Sequence, residues 1–322
     1  MGPRGIMFHH FYDERHPKGQ GAISRDDLRR MLAHLGPERI LSAQEWMVRA
    51  REGRLRPEHI CLTFDDALLC QFDVAFPVLR EFGITAFWFV YSSVFEGNLE
   101  PLEIYRYFRT VAFDDIDDFY AAFFAYLRES EREAYARGEA SFDPAKVLPE
   151  CSFYSTNDRF FRYLRDDILG PERYTRAMDA FIAAHDFDVA AAARKLWLTA
   201  DHLAELDAAG HEVGLHSYSH PTRLCSLSLQ QQRAEYEANF RHLSRVLDRP
   251  PVTMSHPCNS YTADTLEILA DLGIALGFRA DMEPVARRGI YEYPREDHAD
   301  LLRRVNAATA ATLAADQMSR SS

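Results

Sequence analysis

The chain has 322 residues, of which 47% are hydrophobic and 27% charged, and its formal net charge is −12 at pH 7. This composition is typical of a globular protein and excludes the disordered and fibrous classes. The negative net charge argues against nucleic acid or an anionic membrane surface as the main partner.

Cysteine usage and the first residues of the chain bear on its compartment. The cysteines are odd in number, include no CxxC pair, and stand at positions 61, 70, 151, 225 and 258. Such a set favours a reducing compartment. Residues 1–10 contain no long apolar run, so they do not resemble a signal peptide, and no segment is apolar enough to span a membrane. We therefore expect a cytoplasmic protein, while a chain that had lost its leader would have the same sequence.

Short apolar runs with strand character alternate with segments of helical periodicity along most of the chain. In the first helical segment, Ser24 can cap the helix, apolar residues recur at helical spacing, and Gly36 follows. Pro77 predicts a kink in a later helix unless it falls near a turn. The alternation predicts βαβ units and a sheet of seven or eight parallel strands. The strand candidates are residues 6–8, 40–41, 60–64, 85–90, 213–216, 252–254, 275–278 and 290–293.

Between residues 97 and 198 the strand signals disappear, and Phe, Tyr, Ala and charged residues dominate. We predict one domain over residues 1–322 with a large helical insertion at 97–198. The aromatic stripe of this insertion, which includes Phe119 and Phe123, has two interpretations. It is either the core of the inserted helices or a wall over a site on the sheet, and we favour the wall.

Polar side chains stand just after many of the predicted strands. In a barrel of parallel strands the carboxyl ends share one face, and sites are built there. We therefore expect these side chains to lie on the same face. They are His9-His10, Asp65-Asp66, His216, His256, Asp281 and Arg295–Asp297.

Asp65 and Asp66 end an apolar run that is typical of a buried strand. Adjacent carboxylates are costly there unless a positive charge lies between them. Asp66, His216 and His220 together offer a three-ligand site that suits zinc, with other first-row metals left open. Alternatively, the aspartates favour a helix N-terminus and the histidines are ordinary turn residues. The position of both groups at strand ends favours the metal site.

The second aspartate of such a pair can act as a base toward water if it lies beside the metal without binding it. A bound metal lowers the pKa of a water molecule and polarises a carbonyl group. The pattern therefore predicts hydrolysis of an amide or an ester.

Two stretches of the sequence resemble the polysaccharide deacetylases, the NodB-homology or carbohydrate esterase family 4 group. Residues 63–66, Thr-Phe-Asp-Asp, followed by a helix and by residues 83–90, resemble the first motif of that family. Residues 210–220 resemble its second motif. Similarity also extends to residues 7–10 and 23–53, so that the resemblance covers residues 5–96 and about 200–298.

The resemblance implies a distorted (β/α) barrel and removal of an acetyl group from an N-acetylated sugar. It implies that Asp65 is the general base. It also implies that Asp66, His216 and His220 are the metal ligands. Ala67 stands where the family has glycine, which is a mild departure.

The third motif departs more from the family. The family has an arginine before its prolines, and this chain has His256 before Pro257 and Cys258. That arginine orients the base in the family, and Arg279 and Arg295 are the two candidates to replace it. The backbone N–H of Cys258 stands where the family places an oxyanion donor.

The last motif, residues 293–298, resembles the family's proline-arginine-x-aspartate version and contains Arg295 and Asp297. A histidine serves as general acid in many members of the family. His298 is our candidate for that role, with His256 and His10 as alternatives. The other interpretation of His298 is a surface histidine at the start of a helix.

The residues and the resemblance together predict a metal-dependent hydrolase, with zinc favoured, that removes an N-acetyl group from an amino sugar. In a cytoplasmic protein, a nucleotide-linked or carrier-linked sugar in surface polysaccharide or lipopolysaccharide assembly fits better than a mature cell-wall polymer. One alternative is a catalytically inactive relative that binds glycan or metal, suggested by the missing arginine. Another is a hydrolase of a different amide, such as an N-formyl group. A dinucleotide enzyme is disfavoured because no Gly-x-Gly-x-x-Gly follows the first strand.

Overall fold

The computed structural model of the chain describes residues 2–149, 154–285 and 289–320. It forms two compact units, one made of Met1–Glu100 with Leu196–Ser322 and the other of Pro101–Lys195. The prediction of one domain with an insertion at 97–198 stays a prediction. Cys151 lies outside the described residues, and no two of the four cysteines within them form a disulfide bond with each other.

All the described strands belong to the first unit and pair in parallel. Their order in the sheet is β6-β5-β4-β3-β2-β1-β7. The strands are β1 Arg4–Phe8, β2 Ile60–Asp65, β3 Phe87–Val90, β4 Glu212–Leu215, β5 Thr253–Ser255, β6 Leu276–Phe278 and β7 Arg295–Asp297.

The chain after β6 brings the two edges of this sheet together. Tyr293 forms a parallel bridge with Phe278 of β6. Two residues later, Arg295 pairs with Gly5 of β1, while its N–H donates to the carbonyl of Asp281 at 3.1 Å. The sheet is therefore a nearly closed barrel of seven parallel strands, which confirms the predicted distorted (β/α) barrel.

Two strand candidates are single bridges in the structure. Ile40 bridges only Ile60, and Tyr293 bridges only Phe278 within the described residues. The prediction of a strand at 290–293 is wrong, because the last strand is β7. Pro294 has no N–H to offer a ladder, so the chain passes there from the edge of β6 to the edge of β1.

The barrel strands are buried on both faces, as their nearly continuous apolar sequences predicted. Every residue of β1, β2 and β3 is buried. Phe64 of β2 stacks on Trp88 of β3 with ring centroids 4.4 Å apart, and Phe8 of β1 stacks on the same Phe64 at 5.2 Å. This stack fills one layer of the barrel and fixes the relative positions of the three strands.

Helices of the first unit connect and surround its strands, and no described helix is both long and apolar enough to cross a bilayer. Helices α4 to α9 belong to the second unit. The helices are α1 Arg25–Leu35, α2 Ala43–Arg51, α3 Phe76–Phe82, α4 Pro101–Val111, α5 Ile116–Ser130, α6 Arg132–Ser141, α7 Thr156–Tyr163, α8 Gly170–Ala183, α9 Val189–Ala193, α10 Ala200–Ala208, α11 Leu229–Leu247, α12 Ala263–Asp271 and α13 His298–Arg320.

Local signals place two of these helices. Ser24 caps α1 and forms a reciprocal capping box with Asp27. Pro77 lies in the first turn of α3, where a missing N–H costs nothing. A π-helical turn, Gln71–Ala75, precedes α3, so the proline does not interrupt a regular helix.

In the second unit, the aromatic stripe forms the core of the helices. Phe108, Phe119, Phe123 and Phe181 are almost completely buried. Phe123 meets Phe181 edge to face at 5.2 Å, and Phe119 stacks on Phe123 at 5.6 Å. Within this unit the aromatic stripe is therefore the core of the inserted helices, as the first interpretation predicted. A role as a wall over a site on the sheet stays a prediction.

His211, just before β4, is a buried acceptor that joins two strands. Its Nδ1 accepts hydrogen bonds from the backbone N–H of Ala86 and from Nε1 of Trp88, both at 3.0 Å. Burial lowers the pKa of His211 to about 4. In the unfolded chain a histidine has a pKa of about 6.5.

We predict that His211→Asn flattens the acid side of the stability curve. Between about pH 6.5 and 4 the unfolded state binds a proton that folded His211 does not, so stability falls by about 1.4 kcal/mol per pH unit as pH decreases. The asparagine oxygen can replace Nδ1 as acceptor and does not titrate. Urea unfolding measured from pH 8 to pH 4 checks this, with the pH 8 value giving the baseline cost of the substitution. Parallel curves for the two proteins would contradict the prediction.

Candidate metal centre and active site

Asp65 and Asp66 lie at the carboxyl end of β2 in a turn with unusual backbone angles. Asp66 has φ of 78° and Ala67 has φ of 54°. Both angles fall in the left-handed region, which non-glycine residues avoid at a cost of about 1 kcal/mol or more. Ala67 stands where the family that the sequence resembles has glycine, the residue that adopts such angles most readily. The strained backbone angles therefore occur in the turn that carries the two carboxylates.

Two histidines converge on Asp66. Nε2 of His216, which follows β4, lies 3.4 Å from Oδ1 of Asp66. Nε2 of His220 lies 3.5 Å from the same oxygen. Potential ligand atoms of the three residues all lie within 4.8 Å of one another. The three predicted ligands are therefore brought together in space.

The cluster has the features of a cation site. Oδ1 of Asp66 is buried and accepts no hydrogen bond within the part of the chain that the structure describes. Nδ1 of His216 lies 3.0 Å from the carbonyl and 2.8 Å from Oγ of Ser255, which leaves Nε2 to face the carboxylate. Two imidazoles and one carboxylate, with an outer partner fixing one imidazole, suit a divalent first-row metal.

The local charges favour the ionised forms of this cluster. Burial acts to raise the pKa of Asp66, but His220, His216 and His9 outweigh it and hold that pKa far below the usual range. Burial likewise acts to lower the pKa of His216, but Asp65 and Asp66 outweigh it and the pKa is raised. A bound cation would take over the role that a proton plays between these groups.

The shortest contacts of the Asp65 carboxylate are with Arg295 and not with the histidines of this cluster. Nη1 and Nη2 of Arg295 donate to Oδ1 and Oδ2 of Asp65 at 2.7 and 2.8 Å. Both side chains are almost completely buried, and Nε of Arg295 donates to the carbonyl of Arg279 at 2.5 Å. Burial acts to raise the pKa of Asp65, but Arg295 and then His216 outweigh it, so the pKa is lowered.

The structure decides between the two arginines that the sequence left open. Arg279 donates to Asp281 at 2.5 Å and to the carbonyl of Glu283 at 2.7 Å. Arg295 contacts Asp65 instead. The arginine that orients this carboxylate therefore comes from β7, next to β1, and not from the turn after β6.

The sequence analysis placed His9 on this face of the barrel but assigned it no role at the site. Its Nε2 lies 3.9 Å from Oδ2 of Asp66, and its side chain is 25% exposed. The pairing of Phe8 with Phe64 places His9 beside Asp65 one step further along both strands. Knowledge of the register between β1 and β2 would have shown that His9 lies beside Asp65.

His298 and Asp297 lie at the same end of the barrel, close to His9. Potential ligand atoms of the three residues lie within 4.8 Å of one another. Nδ1 and Nε2 of His298 lie 3.3 and 3.0 Å from the carbonyls of Met7 and Gly21. Burial lowers the pKa of His298. Each ring nitrogen thus already faces a backbone oxygen, and the role of general acid stays a prediction for this residue.

The turn after β5 contains the remaining predicted residues. Pro257 is buried, and Cys258 is exposed with φ of 49°. His256 is fully buried, its Nε2 lies 3.0 Å from the carbonyl of Tyr291, and its ring stacks on Tyr261. Burial lowers the pKa of His256 to about 3. His256 therefore supports the turn, and the oxyanion role of Cys258 stays a prediction.

Two buried amides hold the strand ends that carry the site. Nε2 of Gln71 donates to the carbonyls of His9 and Asp65, at 2.8 and 2.6 Å, and so joins the ends of β1 and β2. Asn239 of α11 does the same for β3 and β4.

Both the nitrogen and the oxygen of the Asn239 side-chain amide make hydrogen bonds. Its Nδ2 donates to the carbonyl of Val90 at 3.0 Å and to Oγ of Ser92 at 2.9 Å. Its Oδ1 accepts from the backbone N–H of His216 at 3.0 Å. One side chain thereby fixes the backbone of a predicted metal ligand.

Known proteins resemble this chain in sequence and in fold. A family model described as polysaccharide deacetylase matches residues 166–277, a stretch that includes His216 and His220. Comparison with curated proteins gives no match. The fold and the site define a class of protein, namely parallel barrels with an Asp-His-His cluster at the carboxyl end of the strands. This match, over about a third of the chain, supports the resemblance to the polysaccharide deacetylases seen in the sequence.

Several solved structures share this fold. The Streptococcus pyogenes deacetylase PplD in complex with acetate has 15% identity, covers 92% of both chains, and has a TM-score of 0.55. The de-N-acetylase from Aggregatibacter actinomycetemcomitans has 12% identity over 91% of this chain and 93% of the other, with a TM-score of 0.53. IcaB from Ammonifex degensii has 18% identity over 91% and 90%, with a TM-score of 0.50. At these identities the likeness concerns the fold.

We predict that Asn239→Ala lowers the free energy of unfolding by about 2 kcal/mol, because it removes three hydrogen bonds from a buried site. It should also weaken metal binding, because His216 loses a backbone contact that positions it. Urea unfolding and metal titration check the two effects. The matched control is Gln230→Ala, an exposed amide on the same helix, which should change neither quantity. Equal behaviour of the two variants would contradict the prediction.

Proposed function

We propose that the protein is a metal-dependent hydrolase that removes an N-acetyl group from an amino sugar. The observation that carries the proposal is the cluster of Asp66, His216 and His220 beside a second carboxylate, Asp65, which Arg295 holds in a fixed orientation. The match of residues 166–277 to the polysaccharide deacetylase model supports a carbohydrate substrate.

Each residue of the site has a role that follows from its contacts. Asp66, His216 and His220 would hold a divalent cation, with zinc favoured by two imidazoles and one carboxylate. Such a cation polarises the amide carbonyl and makes water a better nucleophile at neutral pH. Asp65, kept ionised by Arg295, accepts the proton that water gives up when its oxygen bonds to the acyl carbon.

The amine that leaves when the C–N bond breaks needs a proton, and we assign its delivery to His9. This side chain is partly exposed at the cluster, and its Nε2 lies near Asp66. His298, the candidate from the sequence, would have to give up a contact with a backbone carbonyl to act in this way. His298 and Asp297 then lie behind His9 as supporting groups.

The substrate proposal rests on the family and on its relatives. Two of the structurally similar proteins are a deacetylase in complex with acetate and a de-N-acetylase, which supports an acetyl group as the one removed here. We propose a nucleotide-linked or carrier-linked amino sugar, used by a cytoplasmic enzyme in surface polysaccharide or lipopolysaccharide assembly. An inactive relative was suggested by the missing arginine, and the contact of Arg295 with Asp65 removes that reason.

The first prediction of this proposal concerns the metal and the base. Acetate release from a panel of N-acetylated nucleotide sugars and short glycans should be abolished by a chelator and restored by zinc. Asp65→Asn should lower turnover by about 10²–10⁴-fold and keep the metal, because Asp65 acts as a base. His216→Ala should lose the metal itself. Metal analysis and acetate release on the same samples separate these outcomes.

Formate release in place of acetate would contradict the assigned acyl group. Stoichiometric metal with no release of either acid would favour the inactive relative. Absence of both metal and turnover in the wild-type protein would overturn the proposed function.

The second prediction concerns Arg295 and the acidic limb of the pH profile. In Arg295→Gln the positive charge beside Asp65 is lost, so the pKa of Asp65 rises and the base is protonated at higher pH. The acidic limb of kcat/KM should move to higher pH by about one unit or more. The matched control is Arg279→Gln, because Arg279 pairs with Asp281 and not with Asp65. Equal shifts in both variants would contradict the assignment.

A further inference from the structure

A second charged site lies at the opposite end of the barrel from the metal cluster. A surface cleft of about 470 Å³ is lined there by Arg4, Arg39, Arg304 and His34, with Glu58 beside them. Arg4 is the first residue of β1, and Glu58 comes just before β2, so the cleft lies at the amino ends of the strands. The length of β1 separates it from the metal cluster by roughly 15 Å.

The positive charge of this cleft is only partly neutralised. Nε of Arg4 donates to Oε2 of Glu296 at 2.9 Å, and Nη1 of Arg304 contacts the other oxygen of the same carboxylate. One carboxylate therefore serves two guanidinium groups. Arg39 makes no side-chain ion pair within the described residues, and Glu58 contacts Arg56 at 3.1 Å.

This surplus is local and does not follow from the composition. The whole chain has a net charge of −12, so positive groups gathered in one cleft run against its average. Arg4 is almost completely buried, whereas Arg39 and His34 are exposed at the rim. A buried guanidinium with exposed cationic groups around it is suited to an anion that enters from solvent.

We propose that this cleft binds the phosphate group of an anionic ligand. Guanidinium groups from three separate elements, β1, the turn after α1, and α13, surround the cavity. Guanidinium forks match phosphate oxygens, and donors from three separate elements can reach a tetrahedral anion from several sides. The site lies away from the reacting groups, so the ligand is not the substrate bound for hydrolysis. The proposal does not depend on the proposed function.

The test is calorimetric titration of the full-length, metal-loaded protein with inorganic phosphate at constant ionic strength. Wild-type protein should bind phosphate saturably, and Arg39→Gln together with Arg304→Gln should weaken binding by about tenfold or more for each guanidinium removed. The matched control is Arg51→Gln, an exposed arginine on α2 outside the cleft, which should bind as the wild type does. Phosphate that reaches the metal cluster is common to all three proteins and cancels in the comparison.

Arg304 contacts Glu296, so the substitution of Arg304 can disturb folding. In that case the single variant Arg39→Gln tests the proposal. The proposal is overturned if the wild type shows no saturable binding, or if the Arg39 variant binds as tightly as the control. Sedimentation with phosphatidylcholine vesicles, with and without phosphatidic acid, distinguishes the sources of the phosphate. Co-sedimentation that requires phosphatidic acid and Arg39 assigns a lipid headgroup, whereas phosphate binding without co-sedimentation assigns a soluble phosphate compound.

Discussion

The pair of Arg295 and Asp65 is the interaction on which the site depends. Both groups are almost completely buried, and removing two charges from water costs several kcal/mol for each ion. That cost is offset only because two parallel hydrogen bonds join the groups and further contacts satisfy the guanidinium. The pair also links β7 to β2 across β1, so the chemistry of the base and the closure of the barrel are parts of one arrangement.

The carboxyl end of the barrel concentrates backbone strain as well as charge. Asp66, Ser217, His220 and Cys258 all have positive φ angles between 49° and 78°. Each such angle costs free energy unless surrounding contacts hold it. Gln71 and Asn239 supply part of that support by joining neighbouring strands two at a time. The site is thus built from strained turns on strands that buried amides keep in register.

The two ends of the barrel differ in their electrostatics. At the carboxyl end, carboxylates and imidazoles converge in a way that suits a cation. At the amino end, arginines around a cleft suit an anion. Parallel strands make this separation possible, because every strand contributes its first residue to one face and its last to the other. One barrel can therefore carry groups of opposite charge at its two ends.

The sequence by itself determined the parallel strands and the candidate metal ligands, because both are encoded by short-range patterns. Apolar runs of strand length mark the strands, and Asp66, His216 and His220 stand next to their ends, so each can be located without knowing its neighbours. The choice between Arg279 and Arg295 could not be made in this way, because it depends on how Pro294 carries the chain from β6 to β1. The position of His9 beside Asp66, and the enclosure of His298 by backbone carbonyls, likewise follow from strand register and barrel closure. Only the tertiary structure decides such contacts, because they join residues that are far apart in the chain and whose side-chain directions are set by packing.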